Sequence, residues 1–436
     1  MQNRFQMYLE ALKHPFQKIT RIEFLNPDDS VAFFLDNNYK RGYRSRHDSR
    51  AFVQGGTLNV SLQNGIRRKA SVTISNLDDA FSYSVNNLWF GERVRLSMGM
   101  ILPDGTEFYL PQGVFYLSNP QTVFNPTSRQ VTYSLVDKWA YLDGSLFGRM
   151  PYTYIVERDT NIFSAMQGVL RLSKKDFSKS VTDKSLWLDP VPPVFTAFYN
   201  DLPNVEYEYK GEILSFPRTN TGFEVTNQMG ETAATLLLSL NDNLVSWIGY
   251  DPTGTLRVEP SQDDVLDGDK AILWSFSPQN SNFLGMTESA KNTEVYNDII
   301  ISGEGMDDYP VYGRATNYDP LSDTNVNLIG LKTYKESGAN YYNVQQCIDL
   351  ASWKLKRQSI LQKSVSIQSS QMFHLMENRL VTVQRTDKKG APIERHLIQS
   401  FSLPLGETGS MTINATSVND YQIATTTSSI NEETEE

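Results

Sequence analysis

The sequence predicts a mainly β protein with α+β insertions, in which two β-rich regions flank a mixed one. Three observations predict it. Apolar and polar residues alternate with period two over many short runs separated by turn signals, the pattern of strands with one buried face. The chain holds 22 Tyr and 22 Phe, side chains that suit pleated, half-buried surfaces. The period changes to 3.6 in only four places, each short.

Residues 1–17 read as an N-terminal helix. Phe5, Tyr8, Leu9 and Leu12 share a face and Pro15 ends it. This face either packs on its own domain or docks on a partner. Residues 18–143 read as the first β domain. Thr20, Ile22 and Phe24 alternate with Ile19, Arg21 and Glu23, Asn26 to Asp29 turns the chain, and Val31 to Leu35 returns. Thr57 to Leu62 and Ala70 to Asn76 flank Asn64–Gly65, a hairpin signal. Arg93 to Met100, Glu107 to Leu110, Gly113 to Asn119 and Gln130 to Val136 complete the set. Seven or so short strands of this kind make a barrel or a sandwich.

A basic loop interrupts them. Lys40, Arg41, Arg44, Arg46 and Arg50 against Asp48 give +4 in a chain of net charge −10. Such a loop is either a solvated turn or an electrostatic contact with an acidic neighbour.

Residues 144–270 are mixed. Thr160 to Leu172 reads as a helix capped by Thr160 or Asn161, Ser173 to Arg218 as irregular, and Glu231 to Leu240 as a second helix. A hairpin follows, with Pro252 and Gly254 placed for a type I turn. Residues 271–423 read as the second β domain. It includes a helix over 341–361, whose Val344, Cys347, Ile348, Ala351 and Leu355 lie on one face. Gly303 to Leu328 reads as loop. Residues 424–436, rich in Thr, Ser and Glu, read as a disordered acidic tail.

Composition excludes several function classes. The balance of 40 Lys+Arg against 50 Asp+Glu argues against dedicated nucleic-acid binding and against an anionic membrane surface. The single cysteine, Cys347, allows no intrachain disulfide and reads as a buried thiol. Glu10 and Lys13 break any signal-peptide core, and no window approaches the ~20 apolar residues of a membrane span. A cytoplasmic origin without stable membrane insertion is expected. Chemistry is equally sparse. His14, His47, His374 and His396 are dispersed, and no nucleophile elbow, P-loop, Rossmann or zinc-helix motif occurs. The pairs Asp78–Asp79, Asp263–Asp264 and Asp307–Asp308 read as solvated faces or turn formers rather than as a glycosidase pair. Asp298, Asp308, Asp319 and Asp323 offer oxygen ligands without a calcium-loop spacing. The reading is no catalytic residue, no cofactor, no metal and no enzyme.

Three segments carry a likeness. The first is GETAATLLL from Gly230 with WIGYDPTGTLRV from Trp247. The second is VYNDIIISG from Val295, followed by YDPLS from Tyr318 and Ile329–Gly330. The third is the stretch from Tyr341 to Val418, ending in GSMTINATSV from Gly409. In this order the chain, from about Ile19 to Val418, resembles the central hub proteins of phage tails and related contractile injection systems. That group includes the baseplate hub of contractile tails and the N-terminal part of tail-associated proteins of long non-contractile tails.

The resemblance implies two tube-type β-barrel domains, at 18–143 and 271–423, flanking the mixed α+β domain. It implies a homotrimer whose ring of six barrels adapts a six-fold tail tube to a three-fold spike or fibre. DNA would pass through its channel. The implied partners are a tail tube or distal tail protein, a tape measure protein and a spike or fibre protein. The implied place is the virion tail tip or baseplate, assembled in the host cytoplasm. Candidate interface residues are Lys40, Arg41, Arg44, Arg46 and Arg50, with Phe5, Tyr8, Leu9 and Leu12. The chain ends at Glu436 without the peptidase or lysozyme-like domain that many relatives carry, which weighs against an enzyme. The alternative is a host cell-wall protein that binds carbohydrate or hydrolyses peptidoglycan.

Overall fold

A computed structural model describes residues 4–26, 29–37, 51–76, 79, 81, 92–125, 128–174, 184–196, 204–209, 212–222, 224–244, 246–261, 272–290, 295–303, 310–338, 341, 344–359, 363–385, 392–406, 408–418 and 425–428. Helix α1 (Arg4–Ala11) precedes β1 (Lys18–Leu25), β2 (Val31–Asp36), β3 (Val53–Ser61), β4 (Arg68–Ser75), β5 (Arg93–Ile101), β6 (Glu107–Asn125) and β7 (Ser128–Asp137). The middle region holds β8 (Tyr154–Val156), α2 (Ile162–Leu170), β9 (Val194–Phe195), β10 (Val205–Tyr209), β11 (Glu212–Phe216), β12 (Val225–Asn227), α3 (Ala233–Asp242), β13 (Trp247–Tyr250) and β14 (Leu256–Glu259). The last part holds β15 (Ile272–Phe276), β16 (Phe283–Ala290), β17 (Asp298–Gly303), β18 (Val311–Asn317), α4 (Val326–Ile329), β19 (Thr333–Gly338) and α5 (Val344–Gln358). It ends with β20 (Lys363–Ser369), β21 (Leu380–Gln384), β22 (Ile393–Pro404), β23 (Met411–Ser417) and β24 (Thr425–Ser428).

Strands of both β-rich regions join in one sheet. Its thirteen strands run β16-β20-β23-β22-β3-β4-β7-β6-β5-β1-β2, with β21 joined to β22 and β15 to β21. Strand β22 is the joint. Its first half pairs with β21, its second half, Ser400 to Pro404, pairs with β3, and its other edge pairs with β23. The register on β23 slips between Ile398 and Ser400, and such an irregularity bends a strand. Among the described residues backbone pairing closes neither region into a barrel. One seam is spanned by side chains instead: Arg385 reaches Glu288 of β16 at 2.5 Å and Glu394 of β22 at 2.7 Å.

A single apolar core underlies both regions. It runs from Tyr8 and Leu12 through Ile22, Leu58, Val72 and Leu96 to Phe276, Val381, Phe401 and Ile413, all buried. A second core lies under α2, α3, β13 and β14. A third is small: Ile299, Ile301 and Ala315 meet Cys347, Leu350, Ala351 and Leu355.

The three parts meet at buried charge. Arg67 and Arg68 both face Glu377, and all three are buried. Arg379 holds Glu259 of the middle region at 2.9 Å, and Asn378 donates to the same carboxylate at 3.1 Å. Asp137 accepts the backbone N–H groups of Arg67, Arg68 and Trp139 at 2.8, 3.0 and 3.1 Å. Gly249 makes this junction possible. A Cβ there would sit 2.4 Å from Arg67 Nε.

Several sequence expectations are corrected. The helix expected within the second barrel domain packs instead on the separate sheet β19-β17-β18-β24, because its apolar stripe meets Ile299, Ile301 and Ala315. Its close approach needs Gly313, where a Cβ would lie 2.3 Å from the carbonyl carbon of Cys347. The loop expected over 303–328 contains β18 and α4, and the irregular stretch 173–218 contains β9, β10 and β11. The tail expected to be disordered contributes β24, which pairs with β18 from Arg314↔Ser428 to Asn317↔Thr425. The β18 edge opposite β17 offers backbone groups to pair, and threonine favours extended backbone. Residues 429–436 lie outside the described residues.

Candidate assembly surface

The first helix uses its apolar face internally. Tyr8 and Leu12 are buried in the main core, and Met7 and Leu9 pack against it half-buried. Phe5 is exposed at the rim, and its ring stacks on Tyr8 at 5.8 Å. The Tyr8 hydroxyl accepts the N–H of Phe373 at 2.8 Å and lies 3.0 Å from Nδ1 of His374. Nε2 of His374 lies 3.3 Å from the carbonyl of Leu273. The consistent arrangement has Tyr8 donating to Nδ1 and Nε2–H donating to Leu273. It requires a neutral imidazole, and burial lowers the His374 pKa to about 4. Of the four helix residues, then, Phe5 alone is left exposed. The basic run from Lys40 through Arg41, Arg44 and Arg46 to Arg50 lies outside the described residues.

Five of the exposed large apolar residues gather in one segment, which holds the YDPLS and Ile329–Gly330 motifs. Tyr318, Leu321, Leu328, Ile329 and Leu331 all point to solvent, Leu321 at 83% and Leu328 at 68% exposure. Helix α4 lies among them and buries none of its residues.

The backbone beneath is fixed from below. Asn297, wholly buried, donates to the carbonyls of Thr324 and Gly330 at 3.0 and 2.8 Å and accepts the N–H of Lys332 at 2.7 Å. Asn317 donates to Ser322 Oγ and Thr324 Oγ1, and Asn325 donates to the carbonyl of Asp319. Asn325 also caps α4 by accepting from the N–H of Asn327. Gly330 ends the helix at φ +77°, a conformation that suits glycine. Beside it Asp298 accepts from Arg314 at 2.7 and 3.1 Å, from Thr333 at 2.7 Å and from Thr316 at 2.8 Å. Burial raises the Asp298 pKa, but these hydrogen bonds outweigh it and hold the carboxyl below its ordinary value. The result is a rigid loop that holds large apolar side chains in water. Folding alone gives no reason for that arrangement, whereas an interface does.

Asp298 and Asp319 are occupied as hydrogen-bond acceptors within this scaffold, and Asp308 lies outside the described residues. Among the described residues no group of three or more His, Cys, Asp or Glu is placed to hold a metal ion. No described helix is long and apolar enough to cross a membrane. Cys347 is buried, and burial pushes its thiol up to about 12.

No protein-family model matches the sequence, and no curated protein matches it. Solved structures do. A tail protein from Neisseria meningitidis is similar at 10% identity and a TM-score of 0.56, over 93% of this chain and 97% of that one. The 43 kDa tail protein of prophage MuSo2 from Shewanella oneidensis is similar at 11% identity and a TM-score of 0.50, over 92% and 98%. The likeness runs end to end in both partners, and at this identity what it carries is architecture: the chain has the fold of these tail proteins.

Proposed function

We propose that the chain is a structural subunit of a phage-type tail, a hub at the tail tip or baseplate that works as a homotrimer. The observation that carries this reading is the shared fold over nearly the whole of both chains. Three copies, each bringing two β-rich regions, would make a ring with six-fold character above and three-fold character below. Such a ring would seat on a tail tube or distal tail protein and receive a tape measure protein, and it would hold a spike or fibre with a channel for DNA. The single sheet through β22 supports this reading, because it locks the two regions of one subunit into one rigid piece.

The surface on 318–331 is the proposed contact with a second copy. Its five large apolar side chains carry no charge, and uncharged apolar contact is the character of permanent like-with-like interfaces. The basic run Lys40 to Arg50 is the proposed contact with an acidic face of the tube or of a neighbouring copy. Electron microscopy of the purified chain tests the reading. A three-fold ring is expected, and a chain that stays monomeric at every concentration sinks it. Double reversal of Arg44 and Arg46 to Glu should weaken docking and leave the fold intact.

A further inference from the structure

An open cleft of about 250 Å³ lies where α3 and β13 of the middle region face β19 and α5. Three aromatic side chains line it, Trp247, Tyr341 and Trp353, together with Asp242, Glu336 and Lys354. Backbone chemistry makes room for one of them. A Cβ on Gly338 would come within 2.5 Å of the Tyr341 ring. Trp247 is half-buried at the wall, with its indole N–H turned away from solvent and without an acceptor among the described residues.

The charges narrow the ligand. Lys354 Nζ lies 2.6 Å from Glu336 Oε2, so the one cation among these residues is neutralised within the cleft. The two carboxylates outnumber the one cation, so the lining disfavours a phosphate or a further carboxylate. What remains is a neutral molecule with an apolar face for the rings and hydroxyls for the carboxylates. The volume lies below the roughly 300–1,000 Å³ of pockets for drug-sized ligands, which suits a single ring.

We propose that this cleft binds one pyranose unit of a neutral sugar chain. The C–H face of the ring packs on Trp353 and Tyr341 beside Trp247, and Asp242 and Glu336 accept from hydroxyls. This site is independent of the hub reading, since it needs only the cleft within one chain.

The test uses the full chain labelled with 5-fluorotryptophan. Its six tryptophans give six fluorine resonances, each assigned by a Trp→Phe variant. Maltotriose, cellotriose, chitotriose and inorganic phosphate are titrated separately. At least one sugar should shift the Trp247 and Trp353 resonances saturably while phosphate does not, and Trp353→Ala should weaken that sugar tenfold or more. The proposal fails if no sugar moves these two resonances, or if phosphate moves them more strongly than any sugar. It also fails if a folded Trp353→Ala binds like wild type. Should that variant not fold, the wild-type resonances still decide.

Discussion

The Tyr8 hydroxyl lies 3.0 Å from Nδ1 of His374, a residue 366 positions further along the chain. It also accepts the N–H of Phe373. The first helix is thereby fastened to the second β region, although β1 follows it directly and belongs to the first. Tyr8→Phe removes the hydroxyl and leaves one donor and one acceptor buried without a partner. We expect a loss of about 1–3 kcal/mol, read as a lower urea midpoint with an unchanged slope. A midpoint equal to wild type would show that the two contacts add nothing.

His374 also gives the fold a pH dependence. Its pKa falls from 6.5 unfolded to about 4 folded. Between these values the unfolded chain binds the proton more readily, so stability is full above pH 6.5 and is lost as pH falls toward 4. Its size is on the order of 3 kcal/mol at most. Burial lowers His396 in the same direction. Burial raises Asp137 from 3.8 to about 6, which works the opposite way: its contribution is lost as pH rises through that range. The difference between wild type and His374→Gln therefore isolates the histidine. That difference should change steadily from pH 7 to pH 4, and a pH-independent difference would refute the assignment.

Glu377 is the shared anion of Arg67 and Arg68 in the buried junction. Glu377→Ala leaves buried cations uncompensated, and we expect a loss of about 3–5 kcal/mol. Replacing Glu377 and Arg68 together with Met should recover part of it, since a buried pair exchanged for apolar groups costs far less than a broken one. Equilibrium denaturation of the two variants gives the comparison. A double variant no better than the single one would show that the arginines do not depend on this carboxylate.

How much was legible follows from what each signal reports. Alternation revealed β1, β5 and β7 because one face of each strand meets the core with large side chains. It missed β18, whose inward residues are Gly313, Ala315 and Asn317; small and polar residues carry no hydrophobic period. The stripe of α5 was plain, and so was the burial of Cys347. Its partner sheet was not, since β17, β19 and β24 come from distant segments and periodicity says nothing of long-range pairing. The candidate surface was invisible for a simpler reason. Leu321 and Leu328 look in a sequence like any core leucine, and only their position in the fold exposes them.

The close contact of Gly313 with Cys347 makes a pair of expectations. Gly313→Ala should push α5 away from β18, because the added carbon meets backbone atoms that cannot swing aside. We expect about 1–3 kcal/mol of destabilisation from overpacking, against about 1 kcal/mol for Cys347→Ala. In the native chain the thiol should resist alkylation at pH 8 and react once unfolded, because it is both buried and poorly ionised. Rapid native labelling would mean that α5 opens readily.

The exposed segment supplies the last expectation, and it separates assembly from folding. Leu321 and Leu328 touch water in one chain, so changing them should alter the stability of a single subunit by less than about 0.5 kcal/mol. If the segment meets a second copy, each leucine loses its water there, which is worth about 1.5–3 kcal/mol. Leu321→Asp and Leu328→Asp should then each weaken self-association about tenfold to a hundredfold, because the substitution removes apolar contact and sets a charge in its place. The scaffold should stay intact, since Asn297, Asn317 and Asn325 hold the loop through its backbone and through Ser322 and Thr324. Sedimentation over a range of concentrations, beside circular dichroism and melting of the same samples, reads both quantities. Variants that melt with wild type and dissociate at higher concentration place the segment in the contact. Variants that melt and assemble with wild type remove it from the contact and leave five exposed apolar side chains to another partner.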